Sequence, residues 1–188
     1  AEDLNGIKTL GFRGEALAAI SSVSRFQIIS KTPDADFGVC MNMEAEKEIS
    51  FEEVGCPDGT TITVRDIFFN VPARRKFLKK DQTETAYISQ YIERIAISNP
   101  QIAIKFIVDS KTRFSTPGNS DLKATIYAVF GKEFSESLMK VENEVDGIKV
   151  YGFISEPDKA RVNRNFQMLY VNGRFVRSRL VFYAIEDA

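Results

Sequence analysis

The chain has 188 residues, of which 44% are hydrophobic and 27% charged, with a formal net charge of −1. That composition fills a globular core, and a near-neutral balance means that any nucleic-acid surface must be local. No apolar run approaches the ~20 residues of a membrane span, and no cationic start leads into an apolar segment as in a secretory signal.

The two cysteines, Cys40 and Cys56, stand far apart, and the chain has no histidine. This spacing offers neither a metal site nor a disulfide framework, and it excludes Ser–His and Cys–His catalysis within the chain. A reducing, cytoplasmic setting follows from the cysteine usage. AEDLNGIKTL opens the chain already helix-like, FYAIEDA ends it without a stop signal, and no initiator methionine is present. A fragment cut inside a larger fold at both ends is therefore expected.

Asp3 is expected to cap a short helix through Leu10. Gly11 to Gly14 form a glycine-bracketed turn, and Glu15 to Ser22 a helix with Leu17 and Ile20 on one face. FQIISKT reads as a strand, followed by VCMNME and EISFEEV as hairpin strands beyond the Asp34–Gly38 turn. Cys56-Pro-Asp-Gly is a turn, and TTITVRDIFF alternates as one strand until Asn70-Val-Pro breaks it.

Asp81 and Glu84 resemble a capping box for a helix carrying Tyr87, Ile88, Tyr91, Ile92 and Ile95, which stops before Asn99-Pro100. IAIKFIV and KTRFST make a hairpin around Asp109-Ser110. Pro117-Gly-Asn-Ser120 is the best linker candidate, which puts a boundary between two α/β pieces near residue 118. Ser120 or Asp121 caps the helix LKATIYAVF, and Gly131 ends it. Strands flank Asp146-Gly147, FQMLYV is a strand, Asn172-Gly173 is a hairpin turn, and Ser178 caps a last helix.

Four stretches could carry chemistry. GFRGEA combines glycines that let a backbone approach a ligand with a helix start at Glu15 whose free N–H groups suit phosphate. Spacing alone favours a surface turn with Arg13 solvated. Asp58-Gly59-Thr60-Thr61 could bring a hydroxyl to a phosphate, although such a tetrapeptide more often forms a plain turn. FFNVPARRKFLKK packs five cations (Arg74, Arg75, Lys76, Lys79 and Lys80) beside two aromatics, as suits nucleic acid or a solvated helix face equally. From Lys159 to Ile185 there are six basic residues and no acidic one. There Arg177 and Arg179 alternate along an extended stretch and would share one face, favouring contact with a phosphate backbone.

Together and in this order, GFRGEALAAISSVSRF, GTTITVRDIFFNVPARRKFLKK and YVNGRFVRSRL resemble the MutL family of DNA mismatch-repair ATPases over essentially the whole chain. The resemblance implies an α/β (α+β) fold. Residues 1–117 would be part of a GHKL (Bergerat) ATPase sandwich, and residues 118–188 part of a second, DNA-binding domain like domain 2 of ribosomal protein S5. It also implies ATP as cofactor. Gly11, Phe12, Arg13, Gly14, Glu15 and Ala16 would close the ATP lid with backbone amides on the β- and γ-phosphates, and Thr60 would belong to the nucleotide-site threonine motif. Arg174, Arg177 and Arg179 would bind DNA, with Arg179 foremost. Arg74 and Arg75 carry the family signature with no role beyond structure or lid support.

In that family ATP binding drives formation of a homodimer or a MutL-type heterodimer. The resulting clamp binds DNA without sequence preference and passes the signal of a MutS-type mismatch sensor to nicking and excision. The setting would be bacterial cytoplasm or a eukaryotic nucleus, with no membrane partner. The family's water-activating glutamate, Mg²⁺-binding asparagine and adenine-reading aspartate lie upstream of GFRGEAL, and its γ-phosphate lysine lies downstream of the NGR hairpin. No catalytic or metal-binding residue is therefore expected in this chain. Mg²⁺ belongs to the parent protein, and the 188 residues alone should show negligible ATPase. The rival expectations are another GHKL protein, such as a type II topoisomerase or heat-shock chaperone, and a DNA-binding module with no catalytic role.

Overall fold

The computed structural model describes residues 15–159 and 166–186. The expected helix from Asp3 to Leu10 and the turn from Gly11 to Gly14 lie outside these residues. Packing divides the chain into two compact units, one up to Lys79 and one from Lys80.

In the first unit, helix α1 (Glu15–Ser21) leads into strand β1 (Arg25–Lys31), followed by β2 (Gly38–Glu44), β3 (Lys47–Val54), β4 (Gly59–Arg65) and a single helical turn, α2 (Pro72–Arg75). The four strands form one antiparallel sheet in the order β3-β2-β1-β4. Register puts Phe26 opposite Met43 and Val64, and Ile28 opposite Met41 and Ile62, so one face is apolar. On the other face Gln27 donates to Asn42 (2.9 Å) and Asn42 to Ser50 (2.9 Å).

The strand expected over TTITVRDIFF ends at Arg65. Asp66 and Phe68 turn to left-handed φ angles of 52° and 62°. Alternation lapses at Arg65-Asp66, both polar, and beyond it the Phe68 N–H donates to the Val23 carbonyl at 2.6 Å.

The second unit begins with α3 (Asp81–Ser98) and the hairpin β5 (Lys105–Val108) and β6 (Lys111–Ser115). It continues with α4 (Leu122–Phe130), α5 (Lys132–Glu136), the hairpin β7 (Leu138–Val145) and β8 (Ile148–Ser155), the short hairpin β9 (Leu169–Val171) and β10 (Arg174–Val176), and α6 (Arg179–Glu186). Asp121 caps α4 by accepting from the Ala124 N–H at 3.1 Å, and Gly131 ends it. Ala96, Ile97, Phe114 and Ile126 are buried, with the Phe106 ring tilted against Phe114 at 5.6 Å between centroids.

Two readings change here, the cap of α3 and the extent of FQMLYV, and two segments show features the sequence left open. No side-chain cap forms at the start of α3, where Asp81 is the first helical residue and Lys80 occupies the cap position. The stripe of Tyr87, Ile88, Tyr91 and Ile95 is exposed, while Ala96 and Ile97 on the same helix are buried. FQMLYV is strand only over its last three residues. In the linker candidate Ser120 N–H donates to the Pro100 carbonyl at 3.0 Å, and Gly118, at φ +66°, leaves no room beside Ala103 for a Cβ.

Candidate functional site

Of the GFRGEA motif, Glu15 and Ala16 fall among the described residues, as the exposed opening of α1; Gly11, Phe12, Arg13 and Gly14 lie outside them. The end of α1 and the turn after it are tied to distant residues. A helix leaves its last carbonyls without intrahelical donors, and for Ser21, the last helical residue, a distant N–H supplies one, with further bonds to the turn at residues 22–24. Glu46 N–H donates to Ser21 at 3.4 Å, Phe68 to Val23 at 2.6 Å and Ala45 to Ser24 at 3.3 Å, while the Asn70 side-chain amide donates to Ser22 at 2.8 Å. The Ser24 hydroxyl, fully buried, donates back to Ile20 at 2.6 Å.

Ala45, Glu46 and Phe68 all carry left-handed φ angles without being glycine, a conformation costing ~1–2 kcal/mol each. Arg25 braces the same loop. Its guanidinium lies 5.3 Å from the Phe69 ring and pairs with Asp66 (3.4 Å) and Glu44 (3.5 Å). These pairs are half-exposed and are each worth well under ~1 kcal/mol. The FFNVP portion of the signature thus acts as a collar around the end of the helix that the glycine motif opens. Arg74 and Arg75 sit exposed on α2.

Thr60 stands on exposed strand β4, where its hydroxyl shares a 2.8 Å hydrogen bond with Ser30.

In the second unit the basic residues gather around the Asn172-Gly173 turn. Arg174 opens β10, Arg177 follows its end, and Arg179 is the first residue of α6; all three are exposed. The expectation that Arg177 and Arg179 alternate along one extended face is corrected. Ser178 starts the helix between them, its carbonyl accepting from Phe182 N–H at 3.1 Å and its hydroxyl from Val181 N–H at 3.4 Å. Arg161 and Arg164 lie outside the described residues, and Lys159 is ion-paired to Glu156.

Sequence reasoning passed over Arg94. It stands beside Glu93 between Ile92 and Ile95, and that charged pair near the apolar end of the helix was the available signal. Its guanidinium lies 4.4 Å from the Phe175 ring centre, and its carbonyl accepts from the Tyr170 hydroxyl at 3.1 Å. Burial pushes the Tyr170 phenol up to about 12, with Arg94 opposing in part. Burial also raises Glu93, again opposed by Arg94.

A cleft of about 730 Å³ runs between α3 and the β5–β6 hairpin, lined by Asp81, Ser89, Glu93, Asp109 and Arg113 among others. Among the described residues no group of three acidic or thiol side chains could hold a metal, and no helix is long and apolar enough to cross a membrane.

The described residues form a fold of the mixed α/β class. Residues 126–188 match the sequence profile described as "DNA mismatch repair protein, C-terminal domain". The chain is 50% identical over all 188 residues to the DNA mismatch repair protein MutL of Agathobacter rectalis, of which it spans 29%. It is 44% identical over 188 residues to MutL of Symbiobacterium thermophilum, of which it spans 30%. In structure it is similar to the Aquifex aeolicus MutL ATPase domain complexed with ADP, with a TM-score of 0.78 and 28% identity, covering 99% of this chain and 70% of that one. The chain belongs to the MutL family of DNA mismatch repair proteins, and it spans about three-tenths of the length of these curated relatives.

Proposed function

We propose that this chain is part of an ATP-driven clamp in DNA mismatch repair. The observation that carries the proposal is 50% identity to a MutL protein along the entire chain. The ADP held by the Aquifex neighbour supports nucleotide as the ligand. Gly11 to Ala16 would supply phosphate-binding amides, with Thr60 in the same nucleotide site. Arg174, Arg177 and Arg179, exposed around one turn, would contact DNA phosphates without reading sequence. Residues 1–117 would belong to the ATPase domain and 118–188 to the DNA-binding domain, a division supported by the profile match from residue 126.

Mg²⁺ enters through the family alone, since the described residues offer no cluster for it; when bound, it would neutralise charge on the phosphates. The 188 residues by themselves should turn ATP over negligibly, because the residues that the resemblance assigns to water activation and metal binding are not among them. In the whole protein, nucleotide would drive dimerisation, and a MutS-type sensor would act upstream in the bacterial cytoplasm.

Sedimentation of the full-length protein tests this. A non-hydrolysable ATP analogue with Mg²⁺ should convert monomer to dimer through the N-terminal region. A protein that neither binds the analogue nor changes its association state would sink the proposal.

A further inference from the structure

The β9–β10 hairpin has three residue pairs, Leu169↔Val176, Tyr170↔Phe175 and Val171↔Arg174. A two-stranded ribbon this short does not hold its shape in water without support. Side chains alternate across it, so Tyr170 and Phe175 share one face and Arg174 points from the other. Their rings meet edge to face at 5.8 Å. On that face both rings engage one residue of α3. The Arg94 guanidinium lies over Phe175 at 4.4 Å, and the Tyr170 hydroxyl donates to the Arg94 carbonyl at 3.1 Å. Side chain and backbone of a single helix residue thereby fix one cross-strand pair, two residues before the buried Ala96 and Ile97.

We infer that Arg94 is a positioning residue for DNA binding. It holds the underside of the hairpin, so that Arg174 is presented on the opposite side, next to the start of the segment that carries Arg177 and Arg179. Arg94 itself donates no charge to phosphate. The inference rests on the DNA-binding role proposed above and adds the device that orients it.

The test is fluorescence-anisotropy titration of a short duplex with the full-length protein across 50–200 mM salt. A phosphate contact contributes about 0.9 to the slope of log K against log salt. Arg179→Glu should therefore flatten the slope by about 1. Arg94→Ala and Arg94→Lys should each weaken binding about fivefold at fixed salt with the slope unchanged, because lysine keeps the charge but loses the planar stack. Phe175→Leu should do the same, and combining it with Arg94→Ala should add little, as for two ends of one contact. Arg94→Lys and Phe175→Leu carry the test if Arg94→Ala fails to fold.

Unchanged affinity in the folded variants would overturn the inference. So would a flatter slope for Arg94→Ala together with wild-type behaviour for Arg94→Lys, since that pattern means direct phosphate contact. Absence of DNA binding by the wild type, by contrast, would refute the DNA-binding role itself, and the inference would fall with it.

Discussion

Three glycines separate the cost of a left-handed backbone from the cost of crowding. Gly118 has φ +66°, and a Cβ there would stand 2.4 Å from the Ala103 nitrogen and 3.0 Å from its Cα. Gly147 has φ +75° with nothing within 4 Å, and Gly55 has open space and no left-handed φ. Placing an L side chain in the left-handed region costs ~1–2 kcal/mol, and forcing a methyl into packed backbone costs a further ~1–3 kcal/mol. Gly118→Ala should therefore destabilise by about 3 kcal/mol and Gly147→Ala by about 1 kcal/mol. Gly55→Ala should be neutral or stabilising by up to ~1 kcal/mol, through the unfolded chain's lost freedom. Urea unfolding followed by circular dichroism should rank the variants in that order. Hydrogen exchange at the Thr116 amide, which bonds to the Ile104 carbonyl at 2.9 Å, should speed by ~100-fold in Gly118→Ala, since each tenfold corresponds to about 1.4 kcal/mol. If Gly118→Ala proves no costlier than Gly147→Ala, the 117–120 segment does not press on residues 101–104, and the account of that turn is wrong.

Two further substitutions test the collar and the Arg94 contact. Asn70→Ala removes the 2.8 Å bond to the Ser22 carbonyl and should cost ~1 kcal/mol, with faster exchange of the Phe68 amide; an unchanged Phe68 amide would show that the loop is held without it. Tyr170, raised to about 12 against a usual 10, stays neutral in the folded chain while the unfolded chain ionises. The unfolded state then binds fewer protons, so stability present below pH 10 is lost as pH rises toward 12. The two-unit shift corresponds to ~2.7 kcal/mol, and solvent reaching the partly exposed ring reduces this to an expected ~1 kcal/mol. Tyr170→Phe should flatten the fall of the melting temperature between pH 10 and 12, and parallel wild-type and variant curves would refute the burial of that hydroxyl.

What the sequence made legible is what neighbouring residues decide. The Asp121 cap and the Gly131 stop bound α4 as expected, and the turns at Asp109-Ser110, Asp146-Gly147 and Asn172-Gly173 each close a hairpin. The family signature located the basic hairpin, and the Ser178 cap was readable too. Given its full consequence, that cap already forbids Arg177 and Arg179 from sharing an extended face, because a helix begins between them. The exposed stripe on α3 shows the opposite limit: helical spacing marks a face as apolar without saying what covers it.

The collar was only partly legible. The two polar residues Arg65-Asp66 break the alternation of TTITVRDIFF where the strand ends, but nothing local shows that the Phe68 N–H goes to Val23, far away in the sequence. Ala45 and Glu46 differ: they are the two central residues of the β2–β3 hairpin, a turn that asks for left-handed backbone at both. A left-handed residue outside such a turn persists where surrounding contacts over-determine it, and Phe68 is held by its bond to Val23, just beyond the end of α1. A serine-rich sequence, ISSVS, is suited to that end because small hydroxyl side chains return to the helix carbonyls and leave room for the incoming backbone. The FFNVP portion of the motif therefore has a physical role distinct from its basic half. It holds still the helix on which the glycine motif ends, and the arginines after Pro72 remain free to face solvent.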